Sequence, residues 1–261
     1  MIIVKHELRQ GRMAFLIWTV VIAFLLAVCV FLYPEMKAEI EGLGDMFGSM
    51  GALTTAFGMD RLNFGTMSGY YAIECGNVWG LGGAFFAALT AINMLSKEEK
   101  ERTAEFLLTH PVSRARIITE KLAATLIQIV AMNIIIYLVS IGSMALVGEP
   151  VPWKDLNLIH LAFFFCQLEL AGICFGLSAF LRRGSAGLGL GIAVLMYFLN
   201  LIANITTDAK PLKYITSFGY CEGADIISNG CLETRYVIIG LVLGCLGIAA
   251  AYAKYTKKDI V

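Results

Sequence analysis

The chain has 261 residues, of which 58% are hydrophobic and 15% are charged, and its formal net charge is zero. This composition excludes an ordinary soluble globular domain, and the balanced charge gives no support for nucleic-acid binding. With a mean hydropathy of +0.75, the chain is predicted to be an all-α membrane protein in contact with the lipid bilayer.

Six apolar runs are long enough to cross a bilayer, which takes about 20 residues in a helix. They predict a single transmembrane domain over residues 1–261, with spans at 13–33, 70–95, 122–147, 156–181, 184–206 and 236–253. Six spans place both termini on one side of the membrane. Fourteen of the 20 Lys and Arg residues lie on that side, which predicts cytoplasmic termini by the positive-inside rule.

The first twelve residues mix apolar side chains with Lys5, Arg9 and Arg12 and predict a short amphipathic helix on the cytoplasmic surface. No small-residue cleavage pattern follows the first span, so this span is predicted to be a retained helix and not a signal peptide. Pro34 is predicted to begin an external segment whose apolar residues recur at helical spacing as far as Phe57.

Residues 96–121 contain 11 of the 40 charged residues of the chain in about a tenth of its length. Ser96 and Glu99 have the spacing of a capping box, which predicts that a cytoplasmic helix begins there. Glu98 and Arg102 are four residues apart in the order that favours an ion pair.

This helix is predicted to end just before Pro111, because the residue before a proline disfavours the helical conformation. Its last turn then carries Leu107 and Leu108. Such an apolar tip can bury itself in the bilayer interface or bind another protein, and composition alone leaves both open.

The same segment resembles the first cytoplasmic loop of permease subunits of ABC-2 type ATP-binding-cassette transporters. That loop has acidic residues, Gly-Thr, a further acidic residue, a Leu pair, a proline and then a basic residue. The matching residues here are Glu98, Glu99, Glu101, Thr103, Glu105, Leu107, Leu108, Pro111 and Arg114. Arg102 departs from the pattern, since it stands where the family commonly has glycine. The ending at 257–260 is similar to the basic-Asp ending common in such subunits.

The resemblance implies an exporter-like fold in which this segment, including Arg102, is a coupling helix that docks on a separate ATPase subunit. It also implies a bacterial cytoplasmic membrane and a second permease copy, identical or different. The chain has no G-x-x-x-x-G-K-[ST] phosphate loop. ATP and Mg are therefore expected on the partner, and the chain is expected to bind no cofactor and to be no enzyme. The cargo is not indicated.

Two acidic residues lie inside predicted spans. Glu169 falls near the middle of the fourth span, where an ionised carboxylate is costly, and it has two open interpretations. It serves substrate passage or conformational coupling, or it makes a structural hydrogen bond with a polar residue of another span. The candidate partners are Asn133, Gln128 and Asn200. Glu74 lies near the external end of its span, where its carboxylate can reach the membrane surface.

Cys221 and Cys231 fall in one predicted external loop and can form a disulfide or remain two free thiols. The seven cysteines include no C-x-x-C pair and no histidine at a metal-ligand spacing, so no metal site is predicted. Three Gly-x-x-x-Gly motifs, beginning at Gly172, Gly187 and Gly240, predict close helix packing within the chain or with a second copy.

Two other functional classes remain as alternatives. An ATP-independent carrier or channel typically has broken helices or several charges near the membrane midplane, whereas Glu169 is the one central charge in this sequence. An intramembrane protease needs zinc-binding histidines within the membrane. His6, His110 and His160 are all predicted to lie at or beyond the ends of spans.

Overall fold

A computed structural model describes residues 2–48, 51–56, 58–59, 61–101, 112–182 and 185–257. Within these ranges the regular structure is helical and contains no strand. The long helices are α1 (Ile2–Gly48), α4 (Gly76–Ile92), α6 (Arg114–Val147), α7 (Trp153–Ser178), α8 (Ala186–Ile205) and α10 (Thr234–Tyr255). The short ones are α2 (Ala52–Ala56), α3 (Met67–Tyr70), α5 (Lys97–Glu101) and α9 (Gly223–Asn229), with a π-helical turn at Tyr71–Cys75 and a 3-10 helix at Thr207–Tyr214.

Six helices in the described part of the chain are long and apolar enough to cross a membrane. They are Ile2–Glu39, Met67–Ile92, Arg114–Val147, Trp153–Ser178, Ala186–Ile205 and Thr234–Tyr255. The second joins α3, the π-helical turn and α4. The prediction of an all-α membrane protein with six spans is confirmed.

The ends of the helices lie in two groups, as expected for antiparallel spans. The inner end, as we call it, is the end of the bundle that holds the first residues of α1, the last of α10, α5 and the start of α6. At this end the Ile3 amide donates to Glu120 at 3.0 Å and Arg114 donates to the Tyr255 carbonyl at 3.3 Å. The outer end is the opposite one, where Lys37 pairs with Glu149 at 3.2 Å.

The structure corrects the prediction for the first 48 residues, because α1 continues from Ile2 to Gly48 without a break. The predicted surface helix is therefore the first part of the same helix as the span. Pro34 lies inside this helix and does not begin a separate segment. A proline costs one backbone hydrogen bond, and long transmembrane helices tolerate this loss where neighbouring groups compensate for it.

Capping residues fix where α6 begins and ends. Ser113 has extended backbone angles and accepts the Arg116 amide at 3.3 Å, which starts α6. Gly148, with a φ of 80°, ends the same helix in the left-handed conformation that glycine adopts most easily. The sequence had placed the start of the third span eight residues later, at the first uncharged run.

Helix α7 packs between α4 and α10, and α1 packs along α6. Glycines bring α7 and α10 into backbone contact: a Cβ at Gly172 would lie 2.5 Å from the Gly244 carbonyl oxygen, and one at Gly176 equally close to that of Gly247. Two of the predicted glycine motifs are thus used within the chain. Gly191, in the third motif, has no heavy atom within 4 Å of the position a Cβ would take.

Candidate functional site

A buried network of ion pairs joins the charged segment to two spans at the inner end. Lys121 of α6 is 1% exposed. Its ammonium group contacts Glu7 of α1 at 3.1 Å, pairs with Glu98 of α5, and donates to the Met94 carbonyl at 2.6 Å. Lys97 of α5 pairs with the same Glu7. Two lysines and two glutamates therefore neutralise one another, and each of the buried charges, Glu7 and Lys121, has two partners of opposite sign, which is the condition for a buried charge to be tolerated.

The ends of the neighbouring helices are tied into the same region. Glu120 accepts the backbone amides of Ile3 and Val4 at 3.0 and 3.4 Å, which supplies two of the partners that the first turn of a helix lacks. It also pairs with Arg116 at 2.9 Å. Arg114 donates to the Tyr255 and Thr256 carbonyls at 3.3 and 3.4 Å and so contacts the end of α10.

The start of the charged segment, residues 96–121, differs in detail from the prediction. Helix α5 begins at Lys97, as expected after Ser96, but within the described residues the buried Ser96 hydroxyl has no hydrogen-bond partner. The predicted side-chain cap is therefore not formed, and the Ser96 carbonyl accepts the Lys100 amide at 3.1 Å. Glu98 pairs with Lys121 of α6, whereas Arg102, its predicted partner along the helix, lies outside the described residues.

Six predicted docking residues fall in 102–111 and lie outside the described residues: Arg102, Thr103, Glu105, Leu107, Leu108 and Pro111. Three lie inside them. Glu98 is in the buried network, Glu99 is on α5, and Arg114 begins α6. The structure thus describes the two ends of the charged segment, at 97–101 and at 113–121.

At the outer end, the connection between α8 and α10 enters the bundle. Residues 216–224 are buried at every position. The Thr216 hydroxyl donates to the Met196 carbonyl of α8 at 2.5 Å, and the Phe218 ring packs against Tyr197 with ring centres 5.4 Å apart. Irregular backbone at this depth is compatible with a membrane only where protein surrounds it. We call residues 216–224 the buried loop; the sequence predicted a loop packed over the helix ends.

Glu169 of α7 binds this loop and not another span. It is 1% exposed, and its carboxylate accepts the Ser217 hydroxyl at 2.8 Å and the Tyr220 hydroxyl at 2.9 Å. Glu169 lies 16 residues into α7, about 24 Å along the helix, so the loop reaches far into the bundle. Gly240 of α10 leaves room for the carboxylate, since a Cβ there would lie 2.1 Å from Glu169 Oε2.

The three side chains that the sequence offered as partners for Glu169 have other positions. Asn133 donates to Gln167 at 2.7 Å, Gln128 lies beside Gly11, and Asn200 lines a small cavity between α4, α8 and the buried loop. The prediction of those partners is corrected, because an irregular loop and not a span supplies the hydroxyls. Glu74 lies in the π-helical turn and is partly buried.

Cys221 and Cys231 are both free thiols in the structure. Cys221 belongs to the buried loop, with its sulfur 3.6 Å from the Ala162 carbonyl of α7, whereas Cys231 is exposed. Of the two arrangements that the sequence left open, the structure has the one without the disulfide.

Comparison with known protein families decides the class of the molecule. Residues 1–221 match the model of a family described as ABC-2 family transporter protein. The chain belongs to the ABC-2 transporter family. It is a multi-pass membrane permease of an ABC transporter, and membership of this family implies partnership with an ABC ATPase subunit. A comparison with curated proteins found no match.

This ABC-2 permease also has a buried polar cluster that the sequence reading missed. The Tyr71 hydroxyl lies 2.7 Å from Ser140 Oγ and 2.8 Å from His160 Nε2. The π-helical turn, α6 and α7 contribute one residue each. His160 was predicted to lie at the end of a span, but α7 begins at Trp153, which places it two turns inside the helix. A search for uncharged polar residues within apolar runs would have found this cluster.

Charged residues of the ABC-2 chain cluster again beside the buried loop. Asp225 pairs with Lys213 at 2.7 Å and with Arg61 at 2.5 Å. Burial alone would raise the pKa of Asp225, but its two basic partners outweigh burial and hold the pKa below its usual range. Glu222, three residues earlier, is almost fully buried, and burial raises its pKa. The Asn204 amide donates to the Glu222 carboxylate at 2.5 Å.

Proposed function

We propose that this chain is the membrane subunit of an ATP-driven exporter and that a separate ATPase subunit drives it by displacing residues 96–111. In this proposal the inner end faces the cytoplasm, in agreement with the excess of basic residues there. Two permease copies and two ATPase subunits form the working unit, and ATP and Mg bind to the ATPase.

The ion-pair network at the start of the charged segment is the observation that supports the proposal. Lys97 and Glu98, at the start of α5, pair with Glu7 of α1 and Lys121 of α6. Breaking one partner out of a buried ion pair costs about 3 to 5 kcal/mol. A displacement of α5 is therefore expected to move α1 and α6 with it, because separating the charges costs more than tilting the helices together.

Opening at the outer end is expected to involve the buried loop. Since Glu169 accepts hydrogen bonds from two hydroxyls of that loop, the closed outer end is held by neutral donors on a carboxyl group. A change in the position of α7 or α10 alters this contact first, because Gly240 places α10 directly against the Glu169 carboxylate. The proposal therefore assigns Glu169 to conformational coupling.

The partner can be tested directly by purifying the tagged full-length chain from its native membranes and identifying bound proteins by mass spectrometry. We expect an ATPase with a phosphate loop, whose ATP hydrolysis changes when the permease is present. Transport by the purified chain in vesicles without any ATPase and without ATP would contradict the proposal and would favour the carrier alternative.

Docking can be separated from folding with Leu107→Asp. This change is expected to release the ATPase while leaving the midpoint of thermal unfolding unchanged. Charge reversal at Glu98 is a less specific test, because Glu98 pairs with the buried Lys121 and its loss destabilises the bundle. Arg182→Glu is the matched control, since Arg182 is an exposed inner-end charge outside the segment. Retained association and transport in Leu107→Asp would exclude docking through this residue.

A further inference from the structure

A small polar cavity lies between α4, α8 and the buried loop, away from Glu169 and from the charged segment. Its volume is about 40 Å³, measured as the space open to the centre of a water-sized sphere. Four polar side chains line it: Asn77, Tyr197, Asn200 and Glu222. A space of this size has room for one small ion with one or two waters and for no larger ligand.

Two of the polar side chains on the wall already donate hydrogen bonds to protein acceptors. The Tyr197 hydroxyl donates to Asn77 Oδ1 at 3.0 Å, and the Asn77 amide donates to the Ile73 carbonyl at 2.7 Å. Asn200 is 6% exposed, and its Oδ1 has no hydrogen-bond partner among the residues that the structure describes. A buried amide oxygen without a partner is costly, so this atom indicates a ligand that supplies positive charge or a hydrogen.

The cavity also carries an acidic group whose nearest basic neighbours pair with another residue. Glu222 is 9% exposed, and its carboxylate accepts the Asn204 amide. Lys213 and Arg61 both pair with Asp225. Burial raises the pKa of Glu222 in spite of these two cations. The cavity therefore combines one carboxylate with neutral oxygen acceptors.

We propose that this cavity binds one monovalent alkali cation, of which Na⁺ is the representative, through Glu222 and Asn200. Carboxylate and amide oxygens are the ligands that hard cations prefer. A single carboxylate matches a single positive charge and therefore favours a monovalent over a divalent ion. The bound cation connects α8 to the buried loop and thereby stabilises the closed outer end.

A second observation is that the cavity lies beside a π-helical turn. The π-helical turn Tyr71–Cys75 runs beside the cavity, which Ala72 and Gly76 also line. Such turns are rare and occur frequently at functional sites, because the inserted residue changes the direction of carbonyl groups. A Cβ at Gly223 would lie 2.7 Å from Ala72 Cβ, so the loop packs directly onto this turn.

The test measures the thermal unfolding of the purified full-length chain in NaCl, KCl and choline chloride at equal ionic strength. We expect a saturable rise of the midpoint in NaCl relative to choline chloride, by about 3 to 5 °C at ten times the dissociation constant. This measurement needs no variant and no ATPase, so its outcome is independent of the proposed transport function.

Two variants assign the effect to the cavity. Glu222→Gln and Asn200→Ala are expected to abolish the sodium-dependent rise, and Ser228→Ala, at an exposed position of α9 outside the cavity, is expected to keep it. An equal rise in choline chloride, or a sodium response that survives in Glu222→Gln, would overturn the proposal. Identical midpoints in all three salts would also overturn it and would indicate that the cavity contains water with a protonated Glu222.

Discussion

The two ends of the bundle are fastened by different chemistry. At the inner end, Lys97 and Lys121 pair with Glu7 and Glu98, so that both partners of each contact are charged and at least one of them is buried. At the buried loop, which enters the bundle from the outer end, the contact consists of one carboxyl group, Glu169, with two hydroxyl groups. The inner contact joins long helices, and the outer one joins a helix to irregular backbone.

This difference indicates which end is built to move as a unit and which is built to separate. Removing one member of a buried ion pair costs about 3 to 5 kcal/mol, whereas a typical hydrogen bond contributes about 1 kcal/mol. The inner end is therefore expected to transmit displacement without rearrangement. The loop can be withdrawn at lower cost, since its hydroxyls can bind water when they leave Glu169.

The largest effect is expected for Lys121→Met, which removes the cation shared by Glu7 and Glu98. Both carboxylates then remain buried with less compensating charge, and the free energy of unfolding is expected to fall by about 3 to 5 kcal/mol. Thermal unfolding of the purified protein measures the change. If the inner end is the rigid one, ATP hydrolysis by the bound ATPase also loses its connection to transport in this variant.

The control is Arg116→Met, which removes a cation from the same helix. The side chain of Arg116 is 58% exposed and pairs with Glu120. An exposed pair of this kind contributes about 0.3 to 0.5 kcal/mol, so a small effect is expected. Equal losses in the two variants would show that burial does not distinguish the network.

A smaller effect is expected for Gly240→Ala, which places a methyl group where the Glu169 carboxylate lies. Overpacking of this kind costs about 1 to 3 kcal/mol, because the carboxylate must leave its position and lose its contact with Tyr220. Thermal unfolding measures the change, and Gly191→Ala is the matched control, since its Cβ would meet no heavy atom within 4 Å. A neutral Gly240→Ala would mean that α10 can move away from Glu169 without cost.

The sequence predicted the six spans well because a span is a local property of composition. It also singled out Glu98, Glu99 and Glu169 as candidates, since charges stand out in apolar surroundings. It did not predict that Lys121 pairs with Glu7, because these residues are 114 positions apart and only the packing of α1 along α6 brings them together.

The buried loop was missed for a related reason. Its sequence has the mixed composition of a surface loop, and nothing local shows that Ser217 and Tyr220 reach a carboxylate in α7. Gly240 gave a partial signal: it was noted as a packing residue, but the group that needs the space belongs to another helix. Residue spacing within a helix or strand does not predict hydrogen-bond partners, such as Ser217 and Tyr220, that a loop of irregular backbone supplies.

A still smaller effect on stability is expected for Glu169→Gln, which keeps the shape of the side chain and removes its charge. The amide can still accept one of the two hydroxyls, so the free energy of unfolding is expected to fall by about 1 kcal/mol. The sharper readout is Cys221, which is buried, and burial raises the pKa of its thiol and makes it unreactive.

Labelling with a membrane-impermeant maleimide, read site by site by mass spectrometry, is expected to increase at Cys221 in Glu169→Gln. Cys231, which follows α9, is exposed and serves as the internal reference, with unchanged labelling expected in both proteins. Cys221 labelling that stays at its original level would show that Glu169 does not hold the loop. The Glu169 hydrogen bonds would then not be what holds the buried loop in place.

The smallest effect is expected for Asp225→Asn, at the edge of the buried loop. Burial opposes the two cations, but Lys213 and Arg61 outweigh it and lower the pKa of Asp225. A carboxyl group with a lowered pKa stabilises the fold above its unfolded pKa of about 3.8, and this contribution is lost as the pH falls through the folded value. The difference in unfolding midpoint between the original chain and the variant should therefore be constant near neutral pH, begin to shrink as the pH approaches 3.8, and vanish only below the lowered folded pKa of Asp225. Since the pair is partly exposed, the difference is expected to be at most about 1 kcal/mol. A difference that has not shrunk at pH 3 would mean that Asp225 acts through packing and not through its charge, and its contacts with Lys213 and Arg61 would then not be comparable with the inner network.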